Sequence, residues 1–332
     1  MKHKKRSFLA ATVLATALAA LGAPAMAQDA AANYPSGPLT LVVPFSAGGG
    51  VDIVGRILGQ SLSRELGQSV VVENKPGASG MIGAAAVVTS TADGMTLLLA
   101  SSGESAINPH LYNNMSYDPA KDLEPVTLIA KIPNLVTAAV DQPFDDPKSF
   151  VEYAKKNHAK LSYSSAGVGN IQNISGELMN KLLDTEMLHI PYKGSAQALA
   201  DVTGGQVTFT FSSAAAALPY LQSGKIKAVG VTSDQPMNAF PDVPPLNTAP
   251  ELKDFVLVNW FGLFVPAGTP EPIVKKLNEA VVRSLKDPAV MKALETQGAE
   301  PAPMTPEEFR AFRDEQSRLF GSIIKDANIQ IN

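Results

Sequence analysis

Twice along this 332-residue chain an apolar strand passes through a glycine-rich turn into a run with helical spacing. In the first pass the strand is Leu39 to Pro44 and the turn Phe45 to Val51. Asp52 to Leu66 then sets Ile53, Ile57, Leu58, Leu62 and Leu66 at helical intervals, and Gly67 stops the helix. A strand over Ser69 to Glu73, a turn at Asn74 to Gly77, a helix over Met81 to Ser90 and a strand over Met95 to Ser101 follow. Strands this apolar belong to a parallel sheet covered on both faces. A second unit begins after Lys131-Ile132-Pro133, with a strand at Leu161 to Ser164, a turn at Ser165 to Gly169 and a helix at Ile174 to Leu183. Strands at Met187 to Ile190, Val207 to Phe211 and Lys225 to Thr232 continue it, and the Pro-rich run Pro236 to Pro250 is expected to cross a surface or return to the first unit. Phe255 to Val265 is strand-like, and helices over Pro272 to Lys286 and Pro306 to Ala327 close the chain. Open α/β sheets bind ligands beyond the carboxyl ends of their strands, so two facing units would place both glycine turns on one cleft.

The first 27 residues read as a leader. Lys2, Lys4, Lys5 and Arg6 precede an Ala/Leu-rich stretch from Phe8 to Ala23, and Ala25-Met26-Ala27 supplies an A-x-A cleavage site. That apolar stretch is shorter than the roughly 20 residues that span a bilayer. Cleavage after Ala27 would remove four of the 27 Lys+Arg and leave 23 against 31 Asp+Glu, a net charge of −8. Such a chain lacks the basic stripe of a nucleic-acid binder, and any anionic ligand must be held by local dipoles against the overall field. The chain has no cysteine, which excludes disulfides, thiolate metal sites and an N-terminal lipid anchor on cysteine.

The two turns are the candidate chemistry. In Pro44-Phe45-Ser46-Ala47-Gly48-Gly49-Gly50-Val51-Asp52, consecutive glycines let backbone amides converge, and the next helix adds its positive end. That suits a carboxylate or a phosphate; no Gly-Lys-Ser/Thr follows, so it is not a Walker A loop. Asp52 is expected to cap the first helical amides. In Ser164-Ser165-Ala166-Gly167-Val168-Gly169-Asn170, Gln172 stands where a third dinucleotide-binding glycine would be needed. What remains is hydroxyls and amides without lysine or arginine. Trp260, the single tryptophan, is expected in the core or beside a domain crossover.

Enzyme signals are thin. His110, His158 and His189 are widely spaced, G-x-S-x-G is absent, and Ser322-Ile323-Ile324-Lys325 lacks the companion motifs of an S-x-x-K enzyme. No metal and no cofactor are called for.

Several further segments carry a family likeness: Tyr34-Pro35, the Pro44 to Asp52 turn, Glu73-Asn74-Lys75-Pro76-Gly77-Ala78 and Ile107-Asn108-Pro109-His110-Leu111-Tyr112. So do Pro191-Tyr192-Lys193-Gly194, Gly204-Gly205-Gln206-Val207 and Pro266-Ala267-Gly268-Thr269-Pro270. In this order the chain resembles the tripartite tricarboxylate transporter receptors, the Bug family, over nearly its whole length after the leader. The resemblance implies a type II periplasmic-binding-protein fold, two α/β lobes around a ligand cleft. The expected boundaries are 1–27 for the leader, 34–132 with 256–332 for lobe one, and 133–255 for lobe two. It implies ligand contacts at Phe45, Ser46, Ala47, Gly48 and Gly49, with Ser101 and Ser102 nearby, and at Ser164, Ser165, Gly167 and Gly169. Asn170, Asn173 and Ser212 depart from the family pattern near the pocket. Asn170 and Ser212 are carried as candidate contacts, and the missing acidic group speaks for a dicarboxylate, aliphatic or aromatic. The implied partners are a large and a small integral membrane subunit, and the implied setting is the periplasm, as a monomer without lipid anchor or nucleic acid. Two other functions are open to the same sequence: a sensor that presents its ligand to a membrane kinase, and a secreted hydrolase built on Ser46 or Ser165, which requires a nearby histidine.

Overall fold

The computed structural model describes residues 32–192, 195–326 and 328–329. The expected leader lies outside them, as do Lys193 and Gly194 of the Pro191 to Gly194 motif. In chain order the first unit runs β1 (Leu39–Val43), α1 (Gly50–Leu66), β2 (Val70–Asn74), α2 (Met81–Val88) and β3 (Thr96–Ser101). A π-helical turn (Gly103–Ile107), α3 (Asn108–Leu111) and α4 (Pro119–Asp122) lead into β4 (Leu123–Ala139). The second unit holds α5 (Pro147–Asn157), β5 (Ser162–Ser165), α6 (Ile171–Leu183), β6 (Leu188–Pro191), α7 (Ser195–Thr203), β7 (Phe209–Ser213), α8 (Ala214–Gln222) and β8 (Ile226–Val231). The chain then returns through β9 (Val258–Pro266), α9 (Glu271–Lys286), α10 (Pro288–Thr296), β10 (Glu300–Pro301) and α11 (Pro306–Asp326).

The first sheet is ordered β2-β1-β3-β9-β4, with β1, β2 and β3 parallel and β9 antiparallel to both neighbours. The second is ordered β6-β5-β7-β4-β8, with β5, β6 and β7 parallel and β4 antiparallel. Each lobe therefore holds three parallel strands in the order 2-1-3 and takes its antiparallel strand from a chain that has just crossed from the other lobe. This is the type II periplasmic-binding-protein fold.

β4 (Leu123–Ala139) has no clear signal in the sequence. Its 17 residues pair with β9 as far as Pro133 and with β7 from Asn134, so one strand runs through both sheets. Pro125 and Pro133 look like breaks, because proline donates nothing to a ladder. Pro125 sits at a register shift against β9, where pairing is already interrupted, and Pro133 sits at the change of partner. The Pro236 to Pro250 run meets the first unit at its start, where Met237 packs beside Gly298. It folds back on the second, with Val231 N–H bonded to Pro244 O at 2.9 Å and Phe255 buried against Phe211.

The lobes meet under α11. Phe309 and Phe320 of this helix are fully buried, and Phe309 and Phe312 meet Trp260 edge-on at 5.8 and 5.6 Å. Trp260 is thus core and also crossover: it pairs with Lys131 of β4 just before that strand changes lobe.

Candidate functional site

The turn after β1 projects beyond the strand ends. Phe45 is half-buried, while Ser46, Ala47, Gly48 and Gly49 are exposed. Gly48 has φ +83°, a conformation that glycine adopts without steric penalty. Asp52 does not cap the first helical amides as expected. Its Oδ2 accepts from Gly48 N–H at 2.8 Å and Arg56 Nε at 2.9 Å, and its Oδ1 accepts from Asn74 Nδ2 at 2.9 Å. Asn74 Nδ2 also donates to Phe45 O at 3.0 Å, so the turn is pinned from below. Burial works to raise the Asp52 carboxyl, but the bonds from Arg56, Gly48 and Asn74 outweigh it and hold it below the usual carboxylate range. The carboxylate reaches back over the turn instead. Gly49 is the N-cap and supplies no side chain, which leaves the amides of the first helical turn uncapped at the positive end of α1.

Ser101 and Ser102 end β3 at the same edge, and both hydroxyls have internal partners. Ser101 Oγ donates to Glu104 Oε2 at 2.5 Å, and Ser102 Oγ to Asn259 Oδ1 at 2.7 Å. Of the first-lobe candidates, Ser46 alone combines an exposed position with a hydroxyl that no described residue engages.

In the second lobe, Ser165 and Tyr163 share a face of β5 with His189, which the sequence reading dismissed. His189 Nε2 lies 2.7 Å from Ser165 Oγ and its Nδ1 lies 3.3 Å from Asn173 Nδ2, while its ring stacks on Tyr163 at 4.9 Å. Serine, histidine and a polar orienting residue are the parts of a hydrolytic triad, so the order of the protons matters. Gly169 N–H donates to Asn173 Oδ1 at 3.0 Å, which turns the Asn173 amide nitrogen towards His189 Nδ1. Nδ1 must then accept, Nε2 carries the proton and donates to Ser165, and Ser165 donates to Gly167 O at 2.7 Å. The histidine is a donor to the serine, opposite to the role of a general base. Burial also pushes its pKa down to about 4, which keeps the ring neutral. The network fastens the second turn from within.

The remaining candidates fall in three positions. Asn170 caps α6, its Oδ1 accepting from Gln172 and Asn173 N–H at 3.1 and 3.0 Å. Gly167 and Gly169 have φ +141° and +77°, and their N–H groups are taken by Ser165 Oγ and Asn173 Oδ1. Ser164 and Ser212 are buried in the sheet: Ser212 Oγ meets Thr137 Oγ1 at 3.2 Å, and Ser164 Oγ has no partner among the described residues. His189 was legible in the sequence only as an isolated histidine, because β6 brings it beside β5 from 24 residues away.

Known proteins place this architecture. The chain matches the tripartite tricarboxylate transporter family receptor over residues 54–329. It belongs to that receptor family. The receptor superimposes on the periplasmic binding protein BugD with a TM-score of 0.80 and 36% identity, covering 90% of this chain and 99% of the other. An R. palustris protein with adipate gives a TM-score of 0.83 at 32% identity, over 90% of this chain and 99% of its own. MatC from Rhodopseudomonas palustris with bound malate gives 0.78 at 33% identity, over 88% of this chain and all of its own. Among the described residues of the receptor, no helix is long and apolar enough to cross a membrane and no acidic or histidine cluster could hold a metal ion.

Proposed function

We propose that this receptor captures a small dicarboxylate in the periplasm and delivers it to a transporter with a large and a small integral membrane subunit. The observation that carries the reading is the pairing of two glycine-rich turns, one at the carboxyl edge of each sheet, with no lysine or arginine in either. The relatives that hold adipate and malate support a dicarboxylate. In the first turn the uncapped amides of α1 and the exposed Ser46 offer neutral donors to one carboxylate. In the second, Gly167 to Asn170 form the opposing wall. Residues 34–132 with 256–332 and residues 133–255 move as two bodies and close on the ligand. Excluding water then strengthens each amide–carboxylate bond. The protein works as a monomer, exported by its leader and without cofactor, as a carrier and not as a catalyst.

Calorimetry with malate, adipate and the corresponding diamides tests the ligand class. The acids should bind and the diamides should not, since a charge-assisted bond is worth roughly twice a neutral one. Equal affinity for acid and diamide would overturn the reading. Loss of dicarboxylate uptake when the receptor is deleted, restored by returning it, separates delivery to a transporter from signalling.

A further inference from the structure

Between the two proposed walls run the strands that cross between the lobes. β4 and β9 pair with Ile132 opposite Asn259 and Pro133 opposite Val258. One face of this ribbon lies under α11: Trp260 packs on Phe309 and Phe312, and the Lys131 ammonium lies 5.7 Å from the Phe312 ring centre. Side chains alternate along a strand, so Asn259 and Asn134 belong to the opposite face. Ser102 follows β3 at the same carboxyl edge as the first turn, and its Oγ bonds Asn259 Oδ1 at 2.7 Å, which places Asn259 at that edge.

Both asparagines are oriented in ways that packing alone does not require. Asn259 Oδ1 accepts from Ser102 Oγ and from Trp260 N–H at 2.9 Å, which leaves its amide nitrogen turned away with no acceptor among the described residues. Asn134 is 3% exposed, and its main chain is satisfied by Thr232, N–H to Oγ1 and O to N–H, both at 2.9 Å. Its Nδ2 is buried without a partner. A buried donor without a partner is unfavourable, and such exceptions in native proteins call for an explanation. The Trp260 Nε1 also lacks a partner, but it lies on the α11 side among phenylalanine rings and away from the cleft.

We propose that Asn134 and Asn259 form a two-amide floor that donates hydrogen bonds to a carboxylate of the ligand. The inference rests on the dicarboxylate reading above and adds a subsite to it. A neutral floor also agrees with the walls, whose turns hold no lysine or arginine. It gives the ligand contacts from the hinge itself, so that binding is felt at the point where the lobes pivot.

Calorimetric titration of malate and adipate into the wild type and into Asn259→Asp, Asn134→Asp and Asn134→Leu tests this. Asn259→Asp keeps the acceptor used by Ser102 and Trp260 and replaces the donor by a negative charge. Its melting temperature without ligand should stay near that of the wild type, while affinity should fall at least tenfold. The Asn134 variants should weaken binding to a similar degree, aspartate more than leucine. Wild-type protein labelled with 15N-asparagine gives a second readout that needs no variant to fold: the side-chain amide signals of Asn134 and Asn259 should shift on titration. Unchanged affinity in the variants and unmoved signals would overturn the floor and leave the dicarboxylate reading intact. Failure of the wild type to bind either acid would overturn both.

Discussion

Glu104 is fully buried behind the first wall, and its carboxyl receives the N–H and hydroxyl of Ser101, at 2.9 and 2.5 Å. Burial pushes its pKa up to about 7, with the two Ser101 bonds and one from its own backbone N–H opposing the shift. A carboxyl raised in the folded state binds its proton more tightly there than in the unfolded chain. The associated stability is complete below about pH 4.5 and is lost as pH rises through about 7. Glu104→Gln should remove that dependence, so the stability difference between variant and wild type should change by on the order of 3 kcal/mol across this window. Denaturant unfolding at several pH values measures it, and parallel curves would show that Glu104 does not titrate there. No motif announces this residue, because its environment is made by Gly80, Ser101 and Tyr117 arriving from separate elements. The same holds for Asn134 and Asn259, two asparagines without a pattern around them. The glycine turns were legible because they state their backbone chemistry locally. Which hydroxyls remain free after folding was not, since Ser101, Ser102 and Ser165 all find partners inside the protein.

Among the elements, the short strand β6 has the largest influence on the second wall, through one ring. His189→Phe would keep the stacking on Tyr163 and remove both ring nitrogens, leaving Asn173 Nδ2 bonded to Tyr163 Oη alone and Ser165 Oγ with Gly167 N–H as its remaining donor. Each hydrogen bond lost costs about 0.5–1.5 kcal/mol, and the loosened turn should also weaken ligand binding. Thermal denaturation and calorimetry measure the two effects; no change in either would show that the ring only fills space. The wild type should in addition lose stability as pH falls from the ordinary histidine range towards about 4, because the unfolded chain takes up a proton that buried His189 resists. His189→Phe should lack that loss. The family motifs also have an element-level explanation. The backbone from Gly77 to Gly80 has positive φ throughout, including Ala78 at +47° and Ser79 at +52°. Asn108 Nδ2 donates to Ser79 O at 3.0 Å and Ser79 Oγ meets Tyr112 Oη at 3.0 Å, so two distant motifs hold one unusual turn. The alternating strands and helices were readable from periodicity, and β4 was not. Its prolines signal a break locally, and only the partner strands show that a break in pairing is what a crossing strand needs.

For the whole molecule, the two lobes are joined by β4 and by the return from β8 to β9, and α11 packs against both. A ribbon of two strands with partner changes at Pro133 and Asn134 can twist at modest cost, and hinge closure around a ligand is the expected motion. Trp260 reports on it, since the ring sits on that ribbon, wedged edge-on against Phe309 and Phe312. Adding malate or adipate should therefore shift its emission and reduce the radius of gyration measured by X-ray scattering. Closure also predicts how the walls depend on one another. Ser46→Ala removes an exposed donor from the first turn, and Ser165→Ala removes the hydroxyl that ties the second turn to His189. Each should weaken binding by about 0.5–1.5 kcal/mol, or up to about 3 where the lost partner is charged. If either wall binds fully only when the other has closed over the ligand, the first loss lowers the value of the second, and the double variant should fall short of the sum. Additive losses would place the turns in separate sites. A liganded protein with the scattering profile of the empty one would rule out closure, leaving the ribbon as a rigid spacer and the ligand held in an open groove.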